Sequence, residues 1–348
     1  MSSKYVLPII IGLLAFLFVP FEELDSYRYY EYSFDTDKST IEFIAFNFIQ
    51  TFDFIYYLLQ YFCISLNIPV QLITGVSVAL LYIQSFRAID IVKKNYGLKH
   101  GILDILILHF FVLISVSYIV VWSLTRNQIG VMFIAYGINY LLTKKNVSAV
   151  IFFLMAIFTH FGLVFYLLIF FTGYFNPFRN IRLIHRSLLL AGVLISFITS
   201  LFIGKILERL SNLFIFSVEY DYQKYLSNQE ILNVFEFDLS WGDKLMFFTT
   251  AFVILFCLFN LSRINAILSG TVFLFIWLCM SLGFAQMHTQ RTLLMLIPLQ
   301  GIVGSFFLFE NKKSYILYLY RLLIIMSVIA FIWNLWAYRD RWVFELPF

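Results

Sequence analysis

Charged side chains are scarce in this sequence. Aspartate, glutamate, lysine and arginine make up 13% of its 348 residues, whereas 61% are hydrophobic and 20% are aromatic. A soluble domain is about half apolar and about a quarter charged, so the composition excludes a soluble globular protein with a single anchor. It predicts an all-α polytopic membrane protein that forms one integral membrane domain over residues 1–348. The formal net charge of +4 mostly reports loop charge in such a protein, and no nucleic-acid partner is expected.

Cysteine is rare, and the motifs of soluble enzymes are absent. The three cysteines have no metal-ligand spacing, and we interpret them as small buried hydrophobic residues. They are Cys63, Cys257 and Cys279. The chain contains no GxxxxGK[ST], GxGxxG, HExxH or GxSxG pattern. An Asp-Thr-Asp triplet at 35–37 has the letters of a DxD motif, but the topology derived below places it on the outer side, where nucleotide-sugar donors are lacking. The sequence therefore predicts neither a metal site nor a cofactor.

Long hydrophobic runs are abundant, and they predict about eleven transmembrane helices, within a range of 10–12. The expected spans are 5–19, 69–86, 102–122, 129–142, 148–159, 161–174, 187–204, 245–261, 266–285, 292–309 and 315–337. The fifth and sixth are each shorter than the roughly 20 residues that a span needs. We interpret them as two short, tilted helices that meet at His160; one long helix bent at Gly162 is the alternative.

Two polar stretches interrupt the apolar pattern. Residues 21–68 are predicted to form an external loop, and the apolar part of it at 41–66 is too polar for a full span. The residues that interrupt this part are Glu42, Asn47, Gln50, Asp53 and Gln60. We interpret it as an amphipathic helix that is interfacial or re-entrant. Residues 205–242 are predicted to form a large external loop, whose length and side of the membrane fit a lid over a binding site.

Lysine and arginine in the short loops predict the orientation, because such loops are cytoplasmic when they are basic. The basic segments are 87–101, 143–147, 176–186, 262–265 and 310–314. Assigning them to the cytoplasm places the N-terminus inside and the C-terminus outside. The two long loops then face the outside of the membrane, which the chain crosses several times.

Arg126 and His160 are the strongest candidates for chemistry. An ionisable side chain at membrane depth is costly and is a functional candidate by default. Counted from the Lys144-Lys145 turn at about 1.5 Å per residue, the two residues differ in height by about one helical turn. An arginine side chain spans that difference. A snorkelling arginine and a core histidine satisfied by a carbonyl remain the alternatives.

Arg291 is expected to open a later helix near the same face. A helix N-terminus offers free N–H donors and partial positive charge, and an added guanidinium makes an anion site. Two such sites at one depth, Arg126 and Arg291, suit a ligand with a pyrophosphate in the headgroup region and a tail in the lipid, since arginine contacts phosphate in a bidentate way.

Further polar residues fall on the outer side. Asp25 is the second candidate for a general base, and a solvated loop acid or a helix cap is its alternative reading. The predicted substrate-binding residues are Gln128, Tyr27, Tyr30, Tyr222, His288 and Gln290. The tyrosines also fit an interfacial aromatic belt, and His288 also fits an exposed link.

Several segments, taken in order, resemble the EpsG/Wzy-type polysaccharide polymerases of bacterial inner membranes. These are a DxYxxY segment, the amphipathic FDFIYYLLQYFCISLNIP, a span, TRNQIGVMFIAYGINYLLTKK and IFTHFG. In that family an Arg-Gln pair opens a helix, a basic turn follows, and a Phe-His-x-Ser-Ala segment comes next. Here the first element is 126–128, one residue longer, and the second is 159–162, without Ser-Ala. The Gln290-Arg291 pair resembles the family's late arginine.

The resemblance implies glycosyl transfer between oligosaccharide repeat units carried on undecaprenyl pyrophosphate, at the outer face of the membrane. It implies Arg126 and Arg291 as pyrophosphate clamps, and His160 as the general base or a sugar-orienting donor. The implied partners are the lipid-linked glycan, membrane lipid and a chain-length regulator protein. The alternatives are a flippase or transporter of lipid-linked oligosaccharide, an O-antigen ligase, and a non-catalytic membrane scaffold.

Overall fold

The protein is described by a computed structural model that covers most of the chain. The described ranges are 5–20, 52–97, 101–116, 118–180, 182–200, 241–261, 264–281, 286–310 and 314–337, with residues 339, 343 and 344. In these ranges the regular structure is helical, apart from a single antiparallel bridge between Phe18 and Phe344. The all-α fold class is confirmed for this part of the chain.

The helices are numbered here in chain order. They are α1 Val6–Leu17, α2 Phe54–Ser65, α3 Gln71–Tyr96, α4 Ile102–Ile114, α5 Tyr118–Ser123, α6 Thr125–Leu142, α7 Asn146–Thr159, α8 Leu163–Tyr174, α9 Arg182–Ser200, α10 Trp241–Asn260, α11 Ala266–Ser281, α12 Gln286–Glu310 and α13 Ser314–Ala337. Two stretches in the described residues are long and apolar enough to cross a membrane by length and composition, namely α3 and the Gln290–Leu308 part of α12. These two helices are consistent with a helical membrane protein, and the number of eleven spans stays a prediction.

The chain breaks between α7 and α8, as the two-helix interpretation predicted. His160 is extended, at φ −155° and ψ 107°, and it ends α7. Helix α8 starts three residues later and packs mainly on α11, with little contact to α7. An extended residue cannot continue the i to i−4 hydrogen-bond ladder, so the backbone at 160–162 is a link between two helices.

Several predicted boundaries were wrong. Helix α3 runs ten residues past its predicted end at 86, to Tyr96, and Gly97 in the left-handed region (φ +62°) closes it. The predicted span 102–122 is divided between α4 and α5. The predicted link 286–291 is helical, because α12 begins at Gln286. Arg291 therefore lies in the second turn of its helix and does not open it.

The predicted external loops are described only in part. Residues 21–51 and 201–240, which hold most of the loops predicted at 21–68 and 205–242, lie outside the described residues. The interfacial or re-entrant position predicted for 41–66 stays a prediction. The described part of that segment forms the helix α2. It buries Tyr56, Tyr57 and Gln60 while Phe62 is exposed, and it packs against α7.

The bundle has two ends that differ in the residues they bring together. At one end, Asn95 donates a hydrogen bond to the Leu142 carbonyl, and Asn265 bonds the Tyr96 hydroxyl. Gly173 lies against Ser269 at the same level. We call this the loop end. The last residues of α3, α6 and α8 and the first of α7 and α11 meet there.

The opposite end carries the site described next, and we call it the site end. Val343 and Phe344 lie there, since Val19 N donates to the Val343 carbonyl at 2.9 Å and Phe18 packs on Trp122 and Phe344. Trp122 is four residues before Arg126.

Close packing of α6 on α7 sets the depth of the site. A Cβ on Gly130 would lie 3.3 Å from the Ala156 carbonyl oxygen of α7, and one on Gly137 would lie 2.6 Å from the Phe153 ring. Small residues let helices approach this closely inside a membrane. Helix α12 lies in the middle of the bundle, against α3, α4, α6, α10 and α11.

Candidate functional site

An aspartate that precedes α2 organises the site end. Phe52, just before it, has a positive φ of 57°, a conformation that costs a bulky residue about 1–3 kcal/mol. Its ring packs on Phe161, with 5.7 Å between centroids. Asp53 is the N-cap residue of α2, but its carboxylate makes no cap hydrogen bond to that helix. The carboxylate is instead directed across the bundle.

The Asp53 carboxylate joins two distant parts of the chain. Its Oδ2 accepts a hydrogen bond from Arg126 Nη1 at 2.7 Å and lies 3.2 Å from His160 Nδ1. Its Oδ1 accepts from the Phe161 backbone N–H at 2.9 Å. The side chain is 2% exposed. A buried carboxylate needs such partners, because an uncompensated buried charge is strongly destabilising.

His160 presents two different nitrogens. Nδ1 faces Asp53, and an ionised carboxylate only accepts hydrogen bonds. We therefore assign the proton of the neutral ring to Nδ1, from the network, and Nε2 is then an acceptor. Nε2 is buried and has no hydrogen-bond partner among the described residues. A Cβ on Gly162 would lie 3.0 Å from it, so the absence of a side chain at 162 leaves room beside this atom.

Arg291 approaches the same histidine from α12. It lies within electrostatic reach of His160, as Arg126 does. Its guanidinium donates a hydrogen bond to the hydroxyl of Tyr166, a buried residue of α8. No ion pair with a carboxylate is found for Arg291 within the described part of the chain, whereas the charge of Arg126 is offset by Asp53.

Three of the predicted catalytic residues thus come together: Arg126, His160 and Arg291. Asp25, Tyr27, Tyr30 and Tyr222 lie outside the described residues. Their predicted roles stay predictions.

The other predicted substrate-binding residues are placed as follows. Gln128 is fully buried, and its Oε1 accepts a hydrogen bond from Ser77 of α3 at 3.0 Å. Gln290 is half-buried, and His288 lies in the first turn of α12. Neither Gln128 nor Gln290 has a described hydrogen bond to Asp53, Arg126 or His160.

Sequence reasoning left Asp53 out of the predicted site, and Tyr166 as well. A signal for Asp53 exists. It is the only acidic residue between Glu42 and Asp90. A lone carboxylate in so apolar a stretch is expected to have a cationic partner. Tyr166 carries no comparable signal, since the chain has 22 tyrosines.

The arrangement combines a proton acceptor with an anion-binding group. The imidazole Nε2 can take a proton, and the Arg291 guanidinium can offset negative charge in a water-poor setting. Within the described residues, no group of three or more His, Cys, Asp or Glu side chains is placed to hold a metal ion.

The sequence model of one family, the EpsG family, matches residues 4–348 of this chain. No curated protein and no solved structure matches it.

Proposed function

The chain belongs to the EpsG family, and on that premise we propose that it polymerises oligosaccharide repeat units carried on undecaprenyl pyrophosphate. Family membership indicates a polysaccharide polymerase of glycosyltransferase type in a membrane protein. The proposal adds the lipid-linked substrate and the outer face of the bacterial inner membrane. The single observation that carries it is the convergence of Arg126, His160 and Arg291 at one end of an apolar bundle.

In the proposed reaction, a hydroxyl of the incoming unit attacks the anomeric carbon of the growing chain. A carbon–oxygen bond forms there, and the bond from that carbon to the pyrophosphate oxygen breaks. His160 Nε2 takes the hydroxyl proton and becomes an imidazolium. Undecaprenyl pyrophosphate leaves with the bonding electron pair, and cationic side chains stabilise its developing charge.

The two arginines contribute unequally to this proposal. Arg126 shares its charge with Asp53, so its attraction for an added anion is reduced. Arg291 has a tyrosine rather than a described carboxylate as its partner. We therefore assign the leaving pyrophosphate mainly to Arg291. Arg126 supplies further N–H donors and positions Asp53.

The orientation is part of the same proposal. Lys93, Lys94, Lys144 and Lys145 lie at or beside the loop end, in the last turn of α3 and between α6 and α7. Basic residues favour the cytoplasmic side, which puts the site end outside and the N-terminus inside. An eleven-span path through the membrane accommodates this orientation. A chain-length regulator protein and membrane lipid are the further proposed partners.

A flippase is disfavoured by the distribution of charge. A transporter of a pyrophosphate needs polar groups along a path through both leaflets, whereas the described arginines and histidine of the site gather at one end. An O-antigen ligase would use the same chemistry with another acceptor.

The deciding experiment uses purified protein in proteoliposomes with a lipid-linked repeat unit. A ladder of lipid-linked products supports the polymerase. Transfer of glycan only to an added foreign acceptor supports the ligase. Movement of the unit across the bilayer without new linkage supports the flippase. In the host, gene deletion should remove polymer and retain single units.

Arg291→Gln should lower kcat by about 10²–10³-fold, as loss of one oxyanion-stabilising donor does elsewhere. Arg291→Lys should recover part of the rate, since it keeps the charge and loses the fork geometry. The matched control is Arg321→Gln on α13, whose side chain is 44% exposed. If Arg291→Gln turns over at the wild-type rate, Arg291 does not bind the leaving pyrophosphate.

Gly162→Val should lower turnover by about 10²-fold, because its methyl groups would cover His160 Nε2 and displace the attacking hydroxyl. The backbone at 162 is in the ordinary helical region, so no backbone strain is introduced. Leu168→Val, at a 62% exposed position of α8, controls for β-branching in that helix. Unchanged turnover with intact folding would mean that the acceptor does not approach Nε2.

A further inference from the structure

We propose that Asp53 is a positioning residue for this reaction: it holds His160 in the tautomer whose Nε2 accepts the acceptor's proton, and it holds Arg126 beside the ring. The inference rests on the proposed function and adds to it a residue and a specific ring nitrogen. Asp53 does not touch the reacting atoms in this proposal. It acts through His160.

Most acceptor positions of the carboxylate are occupied by its neighbours, which argues against Asp53 as the base itself. A carboxylate has about four acceptor positions. Three are filled by Arg126 Nη1, His160 Nδ1 and the Phe161 N–H. Proton abstraction by Asp53 would require one of these contacts to break, whereas abstraction by Nε2 requires none to break.

The hydrogen bond to Asp53 decides which nitrogen is available. With the proton on Nδ1, the lone pair is on Nε2. That atom is buried and has no partner among the described residues. Buried polar atoms in native proteins nearly always have a partner, so an acceptor without a donor here points to a ligand. The O–H of an incoming sugar can donate the hydrogen bond that Nε2 does not receive from the described residues.

The charges around the ring fit a neutral resting state that becomes charged during the reaction. The ring faces Asp53 before α2, Arg126 on α6 and Arg291 on α12, and Tyr166 on α8 bonds Arg291. Two cations favour the neutral imidazole, and the single carboxylate favours the imidazolium. Asp53 therefore also stabilises the charge that forms on His160 as it takes the proton.

The backbone before α2 is shaped to deliver this carboxylate. Phe52 adopts a left-handed conformation, and strain of this kind clusters at functional sites. An aspartate at an N-cap ordinarily bonds its own helix, whereas Asp53 makes no such bond. Phe52 and the start of α2 thus place one carboxylate against α6 and the α7–α8 link.

The test compares Asp53→Asn with the matched control Asp104→Asn. Asp104 also pairs with an arginine, Arg321, at 3.7 Å, but lies on the loop end of α4 and is 27% exposed. Asp53→Asn should lower kcat by about 10²–10⁴-fold and leave KM within about threefold of wild type, because the residue acts on the proton transfer. Asp104→Asn should stay within about twofold of wild type in both.

A second readout needs no substrate. In protein with ¹⁵N-labelled histidine, the His160 signals are assigned by their loss in His160→Asn. Wild type should show a protonated Nδ1 and an unprotonated Nε2. Asp53→Asn should shift the ring toward the Nε2–H form, since an asparagine amide can donate to Nδ1.

The outcomes separate the inference from the function. Wild-type protein without polymerase activity would refute the function, and the labelled histidine would still test the tautomer. If wild type is active and Asp53→Asn turns over within about threefold of it, the inference alone is overturned. An Nε2–H form in wild type would overturn it as well.

If Asp53→Asn misfolds, the double variant Asp53→Asn with Arg126→Gln is used instead, because it removes both charges. That pair should fold and stay inactive, and activity in it would also overturn the inference.

Discussion

Arg126→Met is expected to destabilise the protein by about 3–5 kcal/mol and to abolish turnover. The substitution removes the cation that lies 2.7 Å from a carboxylate with only 2% of its side chain exposed. Removing one partner of a buried ion pair leaves an uncompensated charge, which has this cost. Thermal unfolding in lipid nanodiscs measures the first effect, and product formation from the lipid-linked repeat unit measures the second.

The double variant Arg126→Met with Asp53→Leu separates the two effects. Both charges are gone, and hydrophobic residues of similar volume replace them. Stability should return to within about 1 kcal/mol of wild type, or exceed it, since buried ion pairs are often replaceable in this way. Turnover should stay absent, because the carboxylate that orients His160 is missing. Arg321→Met, on an exposed pair, should change stability by no more than about 0.5 kcal/mol.

Two results would contradict this account. A single variant as stable as wild type would mean that Arg126 does not stabilise the buried Asp53 carboxylate. An active double variant would mean that the pair contributes to folding and has no part in the reaction. Arg126→Lys offers a finer measurement: it should keep most of the stability but lose part of the rate, because lysine is a point charge without the planar fork.

The meeting of Arg126 and His160 could be predicted because it is local. The two residues lie on neighbouring helices joined by a tight turn, and a constant rise per residue places them at similar heights. The composition fixed the fold class for a similar reason, since long apolar runs in a membrane have to be helices or closed barrels. Neither inference needs to know which distant segments touch.

Asp53 could not be placed in this way. It is separated from Arg126 by 73 residues and from His160 by 107, and the path of α2 depends on tertiary packing against α7.

Hydropathy also predicted the ends of some helices wrongly. It reports where apolar residues stop, whereas α3 continues through Arg87 and Lys94 to a glycine. Helix α12 likewise begins before its apolar part, at Gln286.

The substitution His160→Asn separates the roles of the two nitrogens of the ring. The asparagine Nδ2 occupies nearly the place of histidine Nδ1, so it can still donate to Asp53. Nothing replaces Nε2. Stability should remain within about 1 kcal/mol of wild type, since the hydrogen bond to the buried carboxylate is kept. Turnover should fall by about 10²–10⁴-fold, the usual contribution of a general base.

The control for this substitution is His109→Gln. His109 is also buried, and its ring lies 4.1 Å from that of Phe86, but it is on α4. His109→Gln should affect stability more than turnover.

The pH–rate profile gives a further discriminating measurement. Wild-type turnover should fall at acid pH, because protonated imidazole cannot act as a base, and the residual rate of His160→Asn should lack that fall. An unchanged acid limb in His160→Asn would assign the base to another group, with Asp25 the first to be tested.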